Sequence, residues 1–158
     1  MLRQAIYDCK GPVALRYPRS GVPEQEPLPE DLLHEQAKLT IACYGTDYFA
    51  ACEAARLLDK QGICTDVIRL RCIKPLETEA LMTSLRKTGR LLVPEQTVAN
   101  GCVGQELAAL LIGEPVRVRL VNFGDEFVTH GNCNALLKQY QLDAEGLFRK
   151  AMEEFDFE

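Results

Sequence analysis

From about residue 32 onward, short apolar runs alternate with longer stretches of helical spacing. Leu39-Thr40-Ile41-Ala42-Cys43-Tyr44 is a continuous run closed by Gly45, the pattern of a strand buried on both faces. Thr46 or Asp47 is placed to cap a helix whose apolar positions Phe49, Ala50, Ala54, Leu57 and Leu58 keep helical spacing up to Gly62 as its C-cap. A second strand is expected over residues 65–73, with Asp66 the one charge in its first half, and Lys74-Pro75-Leu76 breaks it. Residues 77–88 read as a helix with Leu81, Met82 and Leu85 inward and Gly89 as cap, and residues 90–94 as a strand. A loop over 95–104 leads into an amphipathic helix over 105–112. Pro115 then precedes a strand over 116–123, whose alternating Arg117 and Arg119 suit the edge of a sheet. Two helical segments follow from Asn134, around Leu142-Asp143-Ala144-Glu145, and residues 32–36 offer one more short strand. Such alternation predicts parallel strands, right-handed crossovers and helices on both faces. The expected fold is a three-layer α/β/α domain with about five strands.

The beginning of the chain follows a different pattern. Residues 1–7 read as the end of a helix and Asp8-Cys9-Lys10-Gly11 as a turn. Val13-Ala14-Leu15 reads as a short buried strand running into Arg16-Tyr17-Pro18-Arg19. A helix without a start signal and a lone strand cannot build a core, so residues 1–19 are expected to be the last edge of one domain. Residues 20–31 carry Pro23, Pro27 and Pro29 among Gly, Ser and Glu, a composition that cannot hold a ladder and reads as a linker. The second domain then takes residues 32–158. Two guanidiniums at the carboxyl end of an α/β strand are placed to grip an anion, and arginine matches phosphate in fork geometry. Arg16 and Arg19 are therefore candidate substrate-binding residues, with a plain surface pair as the alternative.

With 158 residues, 47% of them apolar, the chain can bury one substantial core. A net charge of −5 speaks against a sequence-independent nucleic-acid surface. No apolar run approaches roughly 18 residues and no charged-then-apolar leader opens the chain, so neither a membrane span nor a signal peptide is expected, and the location expected is cytoplasmic. The seven cysteines, Cys9, Cys43, Cys52, Cys64, Cys72, Cys102 and Cys133, form no C-x-x-C pair, and only His34 and His130 could assist them. Reduced thiols are the expectation, rather than a zinc site or a disulfide framework.

Three positions carry possible chemistry. Glu95 follows an apolar strand, where such sheets place functional residues, and also where a carboxylate can cap a loop or pair at an interface. Gly101-Cys102-Val103-Gly104 invites a phosphate-loop reading but lacks G-x-G-x-x-G spacing and a P-loop lysine, so a tight turn feeding the helix is the plainer account. His130 has no Ser, Cys or carboxylate partner at diagnostic spacing and reads as a hydrogen-bonded structural histidine rather than a general base. Glu153, Glu154 and Glu158 read as a solvated helix face.

Taken in order, Gly11–Arg19 (GPVALRYPR), the linker, Lys74-Pro75-Leu76, Val93-Pro94-Glu95-Gln96, Phe127-Val128-Thr129-His130-Gly131 and Leu142-Asp143-Ala144-Glu145-Gly146 resemble the C-terminal part of the 1-deoxy-D-xylulose-5-phosphate synthase family of transketolase-like enzymes. The resemblance covers essentially the whole chain. It implies a three-domain protein using thiamine diphosphate and Mg²⁺, with residues 1–19 ending the pyrimidine-binding domain and residues 32–158 forming a transketolase C-terminal domain in which one strand is antiparallel. The implied reaction is a transferase step in isoprenoid and thiamine precursor supply. It decarboxylates pyruvate and joins the two-carbon unit to glyceraldehyde 3-phosphate, whose phosphate the arginine at position 19 binds. The family's cofactor diphosphate and metal segment and its activating glutamate have no counterpart in these residues. This chain alone is therefore expected to hold no cofactor, metal or catalytic residue, and to serve as a structural, dimerising domain whose partners are a second copy and the N-terminal domains. Two departures stand out: Ser20 replaces the family's Gly after RYPR, and Val-Pro-Glu-Gln replaces V-E-E-N.

Two other readings stay open. The C-terminal half of a 2-oxoacid dehydrogenase E1 β subunit has a similar Lys-Thr-Gly-Arg-Leu-Leu-Val segment, here residues 87–93. A non-catalytic α/β interaction module is the third. The HG…LDAEG tail favours the synthase over the dehydrogenase, and the orphan strand disfavours the module.

Overall fold

The computed structural model describes residues 2–18 and 31–157. Helix α1 (Leu2–Tyr7) is followed by an irregular segment and then, from residue 31, by an alternating array. Its elements are β1 (Asp31–Leu32), β2 (Leu39–Cys43), α2 (Asp47–Asp59), β3 (Thr65–Arg69), α3 (Glu79–Thr88), β4 (Arg90–Pro94), α4 (Val103–Leu110), β5 (Arg117–Val121), α5 (Cys133–Gln139) and α6 (Ala144–Glu154). The strands form one sheet in the order β1-β3-β2-β4-β5. β2 pairs in parallel with β3 and β4, β4 with β5 likewise, and only β1 runs antiparallel, against β3. This is the expected three-layer α/β/α arrangement, with Arg117 and Arg119 on an edge strand.

Period-two alternation divides the core. Leu39, Ile41, Cys43, Val67 and Leu92 face α2 and α6, packing on Ala51, Ala54, Leu58, Leu147 and Ala151. Ala42, Ile68, Leu91 and Val93 face α3 and α4, packing on Leu81, Leu85, Leu107 and Leu111. Because β2 is central and covered on both sides, its whole sequence is buried, which is why it reads as an unbroken apolar run. Among the described residues no helix is long and apolar enough to cross a membrane.

At the amino end of the sheet a polar cluster sits inside this core. Asp66 is fully buried. Its Oδ2 accepts from Lys87 Nζ at 2.8 Å and Ser84 Oγ at 2.6 Å, and its Oδ1 from the His34 amide at 2.8 Å. Thr40 Oγ1 lies 2.7 Å from both Ser84 Oγ and Thr88 Oγ1. One carboxylate thus ties β3, α3 and the entry to β2 together.

Several expectations need correction. Residues 13–16 form no strand: they have no ladder partner among the described residues, and Val13 and Leu15 are 45% and 37% exposed. A short apolar run becomes a strand only when a neighbour takes its backbone groups. The short strand expected over 32–36 is only Asp31–Leu32, since the chain turns at His34, whose carbonyl accepts from the Ala37 amide. β3 stops at Arg69 rather than 73, because β2 has already ended at Cys43 and leaves nothing to pair with beyond it. α3 begins at Glu79 rather than 77, with Gly89 in the expected left-handed cap at φ 60. α4 begins at Val103, two residues early.

Candidate functional site

From β2 the chain passes through α2 to β3 on one side, then returns through α3 to β4 on the other. α2 and α4, the helices that follow the adjacent strands β2 and β4, cover opposite faces. The carboxyl ends of β2 and β4 therefore flank the crevice where open α/β sheets place their ligands.

Four side chains fill it: Tyr44, Asp47, Glu95 and Gln96. Glu95 is fully buried just beyond β4. Its Oε1 accepts from the Val103 amide at 2.9 Å and the Tyr44 hydroxyl at 3.0 Å, and its Oε2 from the Gly104 amide at 2.7 Å. The carboxylate thus sits on the N-terminus of α4, where unpaired amides and the helix dipole favour an anion. Gly104 leaves it room: a Cβ there would lie 2.7 Å from both Glu95 Oε2 and Leu120 Cδ2. Across the crevice Asp47 is buried at the start of α2. It accepts from the Gln96 backbone amide at 3.3 Å and from Gln96 Nε2 at 2.5 Å, while Gln96 Nε2 also reaches Thr46 Oγ1 at 3.3 Å.

Electrostatics follow from this enclosure. Burial pushes the Asp47 carboxyl up to about 6; the Gln96 hydrogen bonds pull it down and the charge of Glu95 adds to the rise. Burial, then the Glu95 carboxylate, push the Tyr44 phenol well up, and the charge of Arg16 draws it slightly back. Cys102, the N-cap residue of α4, is raised chiefly by burial.

Glu95 occupies the strand-end position read from the sequence, in its capping role. The phosphate-loop reading of residues 101–104 is overturned, since Glu95 takes the amides a phosphate would need. Arg16 is exposed and makes no hydrogen bond or ion pair with the described residues, although its charge reaches Tyr44. Arg19 and Ser20 lie outside the described residues. His130 is not the hydrogen-bonded structural residue expected: it is exposed and bonded to none of them, on a loop where Phe127 is also fully exposed. Glu153 is solvated as expected, but Glu154 is half-buried and binds Arg119 at 3.3 Å. The sequence reading does not bring Tyr44, Asp47 and Gln96 together as a group. Their signal was Gly45 between two polar-tipped residues directly after the central strand.

The LDAEG element proves to be a helix start. Leu142 is buried, Asp143 Oδ1 caps α6 by accepting from the Gly146 amide at 3.0 Å, and a Cβ on Gly146 would lie 2.5 Å from Gln141 Cα. Among the described residues no three His, Cys, Asp or Glu come together as a metal site, and of the two helix N-termini in the crevice that of α4 is filled by Glu95.

A family model described as "Transketolase, C-terminal domain" matches residues 31–147. The 1-deoxy-D-xylulose-5-phosphate synthase of Heliobacterium modesticaldum is 37% identical over 164 residues, covering 97% of this chain and 25% of that protein. One subunit of the apulose-4-phosphate transketolase of Phocaeicola vulgatus is 30% identical over 96% of this chain and 51% of its own length. A solved split-gene transketolase, in an inactive β4 tetramer, superposes with a TM-score of 0.68 at 28% identity over 87% of this chain and 45% of that one. The chain spans about a quarter of the length of the synthases it matches. With its mixed five-stranded sheet, its helices on both faces and the matched residues 31–147, the chain belongs to the transketolase C-terminal domain family.

Proposed function

We propose that this chain is the C-terminal part of a thiamine diphosphate-dependent synthase that condenses pyruvate with glyceraldehyde 3-phosphate to 1-deoxy-D-xylulose 5-phosphate, releasing CO2. The observation that carries this is the similarity of 97% of the chain to such synthases at 35–37% identity. Residues 1–19 complete the pyrimidine-binding domain, 20–30 link, and 31–158 form the C-terminal domain, one residue earlier than the sequence reading because Asp31 pairs in β1. When bound elsewhere in the assembled enzyme, thiamine diphosphate with Mg²⁺ supplies the electron sink for decarboxylation. This chain supplies architecture: the crevice polar groups lock α4 and α2 to the strand ends, and the partly exposed apolar residues Leu110 and Ile112, 56% and 83% exposed, suit contact with a second copy. Arg19, together with Arg16, binds the acceptor phosphate.

The test is to purify the assembled protein through a tag on this chain and supply pyruvate with glyceraldehyde 3-phosphate. Formation of the deoxy sugar phosphate with one CO2 supports the reading, and no turnover overturns it. In the active assembly Arg19→Ala should raise the KM for glyceraldehyde 3-phosphate by the equivalent of about 2–4 kcal/mol and leave the pyruvate KM nearly unchanged. Arg19→Lys should recover only part, since an ammonium lacks the fork.

A second reading has its own support. Likeness to one subunit of a transketolase and to a split-gene transketolase fits one chain of a two-chain transketolase. Turnover of a ketose phosphate donor but not of pyruvate selects it.

A further inference from the structure

A cleft of about 350 Å³ opens between the β5 edge and the corner joining α5 to α6. Arg119 and Lys150 line it, with Asn122, Gln139, Tyr140 and Gln141. Its size is that of small-molecule sites. One donor on its walls has nothing to donate to: Arg119 Nε is buried without a partner among the described residues. Asn122 Oδ1 accepts from the Gly124 amide at 3.0 Å, which leaves its NH2 free. Gln141 is held at φ 58, in the left-handed region unusual for a side-chain-bearing residue, by the tight packing of Gly146 against its backbone.

The charges point the same way. Arg119 reaches the Glu154 carboxylate at 3.3 Å and Lys150 reaches Glu153 at 3.2 Å, with side-chain exposures of 41%, 34%, 23% and 61% for Arg119, Glu154, Lys150 and Glu153. Partly solvated pairs of this kind hold weakly, so a dianion can compete for both cations. A buried guanidinium Nε without an acceptor is costly, and turning its fork onto an oxyanion removes that cost.

We propose that this cleft binds a small phosphate-bearing solute, with Arg119 and Lys150 as its charged contacts and the Asn122 amide as a neutral donor. Such binding does not depend on the reaction assigned above. It is tested by titrating the chain with pyrophosphate to about 10 mM at constant ionic strength while the Arg119 Nε–H signal is followed by NMR. Arg119 Nε–H and the Asn122 amide should shift along one saturating curve. Lys150→Gln should weaken that curve about tenfold, by loss of one charge-assisted contact. An Arg119 Nε–H signal that stays fixed, or that moves equally with sodium chloride, overturns the proposal, as does an unchanged curve in Lys150→Gln. The wild-type titration alone is decisive where the variant folds poorly.

Discussion

Asp66 and Glu95 are both fully buried carboxylates, one at each end of the same sheet, and the chain satisfies them by different means. Asp66 receives a cation, a hydroxyl and one amide, from Lys87, Ser84 and His34. Among the described residues Glu95 receives no cation: two amides of α4 and the Tyr44 hydroxyl hold it. At the amino end, a hydroxyl relay through Thr40 and Thr88 extends the network into the core. At the carboxyl end, the helix dipole does the work of the missing cation. The difference teaches how a ligand-binding position can be closed from within. In open α/β sheets that crevice and helix N-terminus receive an anionic ligand; here the Glu95 carboxylate occupies the α4 amides.

The comparison breaks most readily at Glu95. Glu95→Ala leaves the Val103 and Gly104 amides and the Tyr44 hydroxyl without acceptors and should cost about 3–5 kcal/mol, read as a drop in the urea midpoint at unchanged slope. Glu95→Gln should cost less, because one side-chain oxygen remains, and Gly104→Ala should reproduce part of the loss by crowding Glu95 Oε2. A cost near zero for Glu95→Ala would mean that water serves the α4 amides equally well and the crevice is not closed.

Asp47, across the crevice, sharpens the contrast because the described residues give it neither a cation nor helix amides, only Gln96. Its carboxyl stands at about 6 when folded, against 3.8 as the ordinary value. The folded state therefore holds the proton more tightly. The stability that this contributes is fully present below about pH 4 and is lost as pH rises through about 6. The loss should amount to about 3 kcal/mol by pH 7. Asp47→Asn should flatten this component, so the variant gains on the parent as pH rises from 4 to 7. Urea unfolding across that range, parent against variant, checks it, and parallel curves defeat the argument.

The legible parts of this molecule are those where local pattern and tertiary context agree. β2 is buried on both faces and reads so; Gly89 ends α3 because only a left-handed residue fits there. The early start of α4 was hidden, since its cap comes from Glu95, eight and nine residues back, and not from a local Ser, Thr or Asp. Residues 70–73 are apolar enough for a strand, but the neighbour that would pair with them ends first. Val13-Ala14-Leu15 has strand composition without a ladder. Of the crevice, Glu95 was readable from its place after β4. Asp47 reads only as a helix cap, because sequence spacing cannot show that Gln96 closes over it from the loop after β4. Arg19 came from the residues as a strand-end cation and from the resemblance as a phosphate ligand.

The smallest expected effect lies at the amino end, and it tests whether the cation there is as necessary as the amides are at the other. Lys87 Nζ donates to Asp66 Oδ2 at 2.8 Å and also to the His34 carbonyl, with 35% of its side chain exposed. Lys87→Met removes both contacts, but water can enter through the exposed side and Ser84 and the His34 amide stay in place. The cost should therefore fall to about 2 kcal/mol, below the 3–5 kcal/mol typical of an unpaired buried charge. In an Asp66→Asn background, where no charge remains to be compensated, Lys87→Met should cost less than about 0.5 kcal/mol, a coupling of about 1.5 kcal/mol. Equal costs in the two backgrounds would show that Lys87 acts only through its alkyl packing and the His34 carbonyl. In that case Asp66, like Glu95, is held by neutral donors, and the contrast between the two ends of the sheet disappears.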